Sequence, residues 1–279
     1  MGQPVRRRED RRFLTGAGRY VDDIVSPAIT HAVVVRSPHA HARVQAVDIA
    51  AARRAGGVLT VLTGADAVAD GLGGLGIRGL PPGFGGPDAV WPLRPVLATE
   101  RVRYVGDPVA LVVAETLEQA KDAAELVSVT YNAVPAAATL DLAVAADAVT
   151  IWDAAPGNIC FRHDVGDAAA VDAAIAVADE VVSVSIVNNR LSASPIEPRG
   201  AIGAYDSTDN RYTLRSSTQT PHRVREVLAD SVFGIPETEL RVVAADVGGG
   251  FGMKGPTFPE EALVLWAARR VGRPVKWIA

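Results

Sequence analysis

Val105-Gly-Asp-Pro-Val-Ala-Leu-Val-Val-Ala-Glu-Thr-Leu-Glu-Gln119 is the stretch that decides the fold class. Its centre, Val109-Ala-Leu-Val-Val113, is a short β-branched-rich run that reads as a strand. Thr116 and Gln119 then stand at capping-box spacing, where each can satisfy an orphan amide of a helix start. Leu117, Ala120, Ala124 and Val127 follow at i, i+3, i+7 and i+10, which gives that helix one apolar stripe. Residues 126–131 are expected to return as a strand, so the reading is a strand–helix–strand unit.

Upstream, residues 29–36 and 58–62 read as strands around a short helix at Asp48–Ala55. Eight glycines and five prolines between Gly71 and Pro95 forbid a helix or central strand there, so a long surface loop is expected. An Ala-rich connector over 133–149 suggests a domain boundary near 150, giving units 1–150 and 151–279. Downstream, Ala168–Ala178 reads as a helix, and Val182, Val184 and Ile186 alternate with serines in a half-buried strand pattern. Arg211–Ser216 is another strand. A helix starts at Thr220 with Pro221 at its first position, Gly234 after its last turn and Pro236 beyond. Leu240–Ala245 is a strand and Glu260–Val271 a helix. Lys276-Trp277-Ile278 reads as a strand with no sheet partner following it in the chain. The alternation indicates an α+β or α/β protein.

Composition narrows the function. Lys and Arg total 28 against 32 Asp and Glu, and a net charge of −4 argues against nucleic-acid binding as the main activity. No apolar run is long enough to span a bilayer. The arginines at 6, 7, 8, 11 and 12 are followed by no apolar stretch, so they form no secretory signal. The single cysteine, Cys160, excludes an internal disulfide and points to a reducing, cytoplasmic setting. The five histidines have no zinc-like spacing, so no metal ligands are assigned.

The most informative local feature is Gly248-Gly-Gly-Phe-Gly252, directly after a strand. Successive glycines mean a tight bend or a close approach, and exposed amides in such a turn make an anion-binding concavity. An ordinary strand-to-helix turn is the plainer alternative. The run fails as a P-loop, because Met253 stands where the second glycine belongs. Gly250-x-Gly252-x-x-Gly255 matches a dinucleotide fingerprint on paper, but Pro256 and Pro259 interrupt the helix that motif needs. Gln219, at a strand end before a helix start, carries a carboxamide that both donates and accepts. In Ser194-Pro-Ile-Glu-Pro-Arg199, Glu197 and Arg199 are expected to form a structural ion pair, with a catalytic carboxylate at Glu197 as the alternative.

Taken in order, these motifs resemble the start of the molybdenum-binding large subunit of the xanthine dehydrogenase/aldehyde oxidase family, in its aerobic carbon-monoxide-dehydrogenase-like branch. Leu14–Asp23 is similar to the family's opening, and Arg36–Arg43 and Val105–Glu115 to its α/β hammerhead domain. Ser194–Arg199, Ser217–His222, Gly248–Lys254 and Gly272–Trp277 are similar to the first part of its molybdopterin-binding region. The resemblance implies a hammerhead over 1–150 followed by an incomplete mixed α/β molybdopterin-binding domain over 151–279. It implies molybdenum held by molybdopterin, as the cytosine dinucleotide form, with Gln219 on an oxo ligand and Gly248, Gly249, Gly250, Phe251 and Gly252 around the cofactor. It also implies [2Fe-2S] and FAD on small and medium partner subunits, with the rest of the large subunit as a further partner. Purine-hydroxylating relatives carry a substrate-contacting glutamate where this chain has Gly255, which counts against xanthine. The family's late catalytic glutamate has no counterpart in these residues, so no catalytic residue is assigned and the chain alone is expected to be inactive. The alternative reading is a non-catalytic assembly module or an inactive truncated fragment.

Overall fold

The computed structural model describes residues 2–77, 80 and 83–279. The first half contains α1 (Asp10–Leu14), β1 (Thr30–Arg36), β2 (Ala42–Asp48), α2 (Ala50–Arg53), β3 (Val58–Thr63) and α3 (Gly64–Ala69). It continues with β4 (Gly74–Leu75), β5 (Arg94–Pro95), β6 (Arg101–Val102), β7 (Pro108–Ala114), α4 (Leu117–Glu125), β8 (Ser128–Ala133) and α5 (Leu140–Val144). Then follow α6 (Ala168–Ala176), β9 (Gly200–Asp206), β10 (Arg211–Ser216), α7 (Pro221–Glu226), β11 (Leu240–Val243), α8 (Pro259–Val271) and β12 (Val275–Ile278).

The capping box at Thr116 is present: Gln119 N donates to Thr116 Oγ1 and Thr116 N to Gln119 Oε1. Ala120 and Ala123 are the fully buried positions of α4, with Leu117, Ala124 and Val127 half-buried beside them. The strands flanking α4 do not share a sheet, however. β7 lies in a seven-stranded sheet of order β11-β10-β9-β12-β1-β7-β3, and β8 in a three-stranded sheet, β6-β2-β8. β7 is buried at every residue, as a strand covered on both faces must be. β8 alternates half-buried and exposed residues on a sheet with one wet face.

The last strand forms as expected, and its partners both precede it in the chain. β12 is an interior strand, antiparallel to β9 and parallel to β1, with Thr30 opposite Val275. It joins three strands from residues 30–114 to three from 200–243, so one sheet runs through both halves of the sequence. A second correction concerns residues 182–186, which form no strand; every residue from 161 to 192 is exposed. The alternating pattern is there, but no neighbouring strand among the described residues pairs with it, and an unpaired backbone stays in water.

The core centres on α8, buried from Pro259 to Ala268 and laid across β9. The approach is close enough that a Cβ on Gly203 would lie 2.4 Å from the Val264 backbone, which only glycine permits. Glu260 of α8 accepts from Arg36 Nη2 at 2.6 Å and Arg199 Nη1 at 3.0 Å, tying β1 to the lead-in of β9. Burial pushes that carboxyl up, but the two guanidiniums outweigh it and hold it below the usual range. Among the described residues, no helix is long and apolar enough to cross a membrane.

Candidate cofactor-binding site

Two chain segments converge where β10 and β11 end. After β10, Ser217-Thr-Gln-Thr220 runs along the backbone at 254–255. Gln219 N and Thr218 Oγ1 both donate to Lys254 O, at 3.0 and 3.1 Å. Thr220 Oγ1 donates to Gly255 O at 2.6 Å, so this hydroxyl fastens the loop instead of capping the helix. Pro221 does open α7, which continues as a π-helical turn, Val227–Phe233, to a left-handed Gly234. Val224, Val227, Leu228 and Val232 are buried along this run.

After β11, the chain turns through the glycine run. Gly249, Phe251 and Gly252 have φ of +97°, +49° and +85°. Phe251 is a side-chain-bearing residue in the left-handed region and is 78% exposed. A side chain at Gly250 would displace the Gln219 carboxamide, because a Cβ there would fall 2.5 Å from it. Gln219 Oε1 accepts from Gly252 N at 3.0 Å. That bond orients the carboxamide and leaves its Nε2 as a free donor among the described residues. The amides of Gly249, Gly250 and Phe251 likewise have no acceptor among the described residues. The six residues singled out in the sequence therefore meet in one place.

Beneath the turn lies a support that sequence reasoning missed. Lys254 is buried, and its Nζ donates to Glu197 Oε2 at 2.9 Å. Gly248 N donates to the same oxygen at 2.7 Å, and Val21 N to Oε1 at 3.3 Å. The expected Glu197–Arg199 pair is absent: Arg199 belongs to Glu260, and the buried ammonium of Lys254 claims Glu197. A buried charge needs a partner wherever the fold supplies one, and sequence proximity does not decide which. Asp246, two residues before the turn, is held by Arg12 Nη2 at 2.5 Å and Arg19 N at 2.8 Å. The arginine arm thus packs on the site through at least one member.

Chemically, the arrangement offers a rigid row of unspent amides and one oriented carboxamide donor. Both suit an anionic or oxo-bearing group, and the left-handed turn makes the cradle a side chain would otherwise fill. Among the described residues, no group of three or more His, Cys, Asp or Glu could hold a bare metal ion. Metal would have to arrive within a larger ligand.

Residues 151–279 match the molybdopterin cofactor-binding domain, and residues 15–135 match the aldehyde oxidase and xanthine dehydrogenase a/b hammerhead domain. The chain belongs to the xanthine dehydrogenase/aldehyde oxidase family of molybdenum-binding large subunits. Relatives within this family include the nicotine 6-hydroxylase large subunit of Paenarthrobacter nicotinovorans, 38% identical over all of this chain and 33% of the relative. The carbon monoxide dehydrogenase large chain of Hydrogenophaga pseudoflava is 35% identical over 97% of this chain and 34% of its own length. Among solved structures, quinoline 2-oxidoreductase from Pseudomonas putida 86 superposes with a TM-score of 0.89 at 37% identity, covering all of this chain and 34% of that one. The chain thus spans about a third of the length of these family members.

Proposed function

We propose that this chain supplies the hammerhead, over 1–150, and the first segment of the molybdopterin-binding domain, over 151–279, of a molybdenum hydroxylase large subunit. The reaction is oxidation of an activated carbon in an aldehyde, N-heterocycle or similar substrate, or of carbon monoxide. When bound, the molybdenum cofactor supplies two-electron oxidation with water as the oxygen source. We take the cofactor to be the cytosine dinucleotide form, with [2Fe-2S] and FAD on partner subunits receiving the electrons.

The observation that carries the reading is the Gln219–Gly252 hydrogen bond beside three unspent amides. Gln219 Nε2 donates to an oxo ligand of the bound group. The amides of Gly249, Gly250 and Phe251 hold its anionic part. Glu197 and Lys254 fix the turn from below, so these donors need no reorganisation when the ligand arrives. This chain contributes cofactor positioning and subunit docking, and the proton-transfer groups come from the rest of the large subunit.

The test is co-expression with the remaining large-subunit segment and the partner subunits, followed by molybdenum analysis and steady-state kinetics. The wild-type complex is expected to hold molybdenum. Gln219→Ala is expected to lower kcat by about 10²-fold, the scale of losing one preorganised donor, with metal content and Tm unchanged. A folded complex without molybdenum refutes the cofactor assignment, and unaltered kinetics refute the role of Gln219.

A further inference from the structure

Beside the glycine turn, on the side of Gly252 and Gly255, lies an open cleft of about 620 Å³. That volume is within the range that holds a one- or two-ring organic molecule. Two arginines line it from separate elements, Arg94 of β5 and Arg223 of α7. Arg223 has no ion-pair or hydrogen-bond partner among the described residues, Arg94 feels the Asp107 carboxylate without a contact ion pair, and no Asp or Glu is among the cleft's described lining residues. The contrast with the other arginines of the core is sharp: Arg36, Arg199 and Arg270 are each committed to a carboxylate. Thr257 also lines the cleft, and its buried Oγ1 has no hydrogen-bond partner among the described residues. Val227 and Pro256 add apolar wall.

We infer that this cleft recognises the carboxylate of an organic acid substrate, with Arg94 and Arg223 supplying the charge. The inference rests on the proposed function, because it makes the cleft the substrate's approach to the cofactor turn. A planar guanidinium matches a carboxylate with two parallel hydrogen bonds and also stacks on a ring. An apolar wall next to such groups suits an aromatic acid better than a bare inorganic anion. The unspent amides at 249–251 are not among the cleft's lining residues, so the cofactor's anionic part and the substrate's carboxylate have separate donors.

The experiment uses the reconstituted complex, titrated calorimetrically with benzoate, benzamide and inorganic phosphate. Benzoate is expected to bind at least about tenfold more tightly than benzamide, which has the same shape without the charge. Arg94→Gln and Arg223→Gln should each weaken benzoate by about tenfold and leave benzamide unchanged. Molybdenum content is measured for every protein. Equal binding of benzoate and benzamide, or arginine variants that bind benzoate like the wild type, overturns the inference. So does loss of molybdenum in the arginine variants together with displacement of benzoate by phosphate, which would make the pair a cofactor-phosphate site. A metal-free wild-type complex that still prefers benzoate sinks the proposed function and spares the cleft. A metal-loaded complex indifferent to benzoate sinks the cleft alone.

Discussion

β9 and the segment 181–187 differ in a way that inverts their sequences. The segment alternates valine and isoleucine with serine, a cleaner strand pattern than β9, whose seven residues include two glycines. Yet β9 is an interior strand between β10 and β12 with α8 packed across it, whereas Val182, Val184 and Ile186 are 82%, 75% and 84% exposed in irregular chain. Propensity describes a side chain's fit to a pleated, half-buried surface, and it delivers a strand only where another strand satisfies the backbone. β9 has that on both edges and a helix above; 181–187 has neither among the described residues.

The boundary between these two regimes is Glu197, where the exposed stretch rejoins the packed body, and it is where the largest effect is expected. Glu197→Ala leaves the Lys254 ammonium buried without its carboxylate and frees Gly248 N. Removing one partner of a buried pair costs about 3–5 kcal/mol, to be read in urea unfolding. A loss under about 1 kcal/mol, the range of exposed pairs, would place Glu197 on the loose side of the boundary. Inside the packed body, burial pushes the Glu261 carboxyl up to about 7, while Ser216 Oγ and Phe258 N donate to it. Its folded form therefore keeps a proton that the unfolded chain gives up from about pH 4.5. Stability from this group is complete below that pH, declines between about 4.5 and 7, and levels off above, a loss of roughly 3 kcal/mol. Denaturation midpoints across that range should fall for the wild type and stay flatter for Glu261→Gln, which keeps the shape without the ionisation. Identical profiles would show that Glu261 does not titrate in the packed body.

What was legible in the sequence follows the same division. The Thr116–Gln119 capping box, the Pro221 helix start, the Gly234 stop and the glycine turn are local devices, each written within a few consecutive residues. Gln219 and Gly248–Gly252 were legible because glycine and a proline-led helix start constrain the backbone wherever they occur. Sheet order was not. The β1–β12 pairing joins Thr30 to Val275, and nothing in Lys276-Trp277-Ile278 distinguishes an interior strand from an edge. Lys254 was missed for a related reason. Its partner Glu197 is 57 residues away, while Arg199, two residues from Glu197, is claimed by Glu260 in the core.

The smallest expected effects make the sharpest use of the comparison, because they apply one residue type to both regions. Ile202 of β9 is 5% exposed and packs with Val21 and Ile29. Removing a single methyl group there, Ile202→Val, should cost roughly 1 kcal/mol, since a packed strand cannot fully close the space left behind. Ile186→Ala removes more of the side chain from the segment with the better strand pattern, yet it should change stability by less than about 0.5 kcal/mol, as exposed substitutions do. Chemical denaturation of both variants under one set of conditions decides the matter. If Ile186→Ala costs as much as Ile202→Val, the segment is buried in solution and its pattern is satisfied by a contact within this chain. If it costs nothing, the alternation at 181–187 has no use inside these residues.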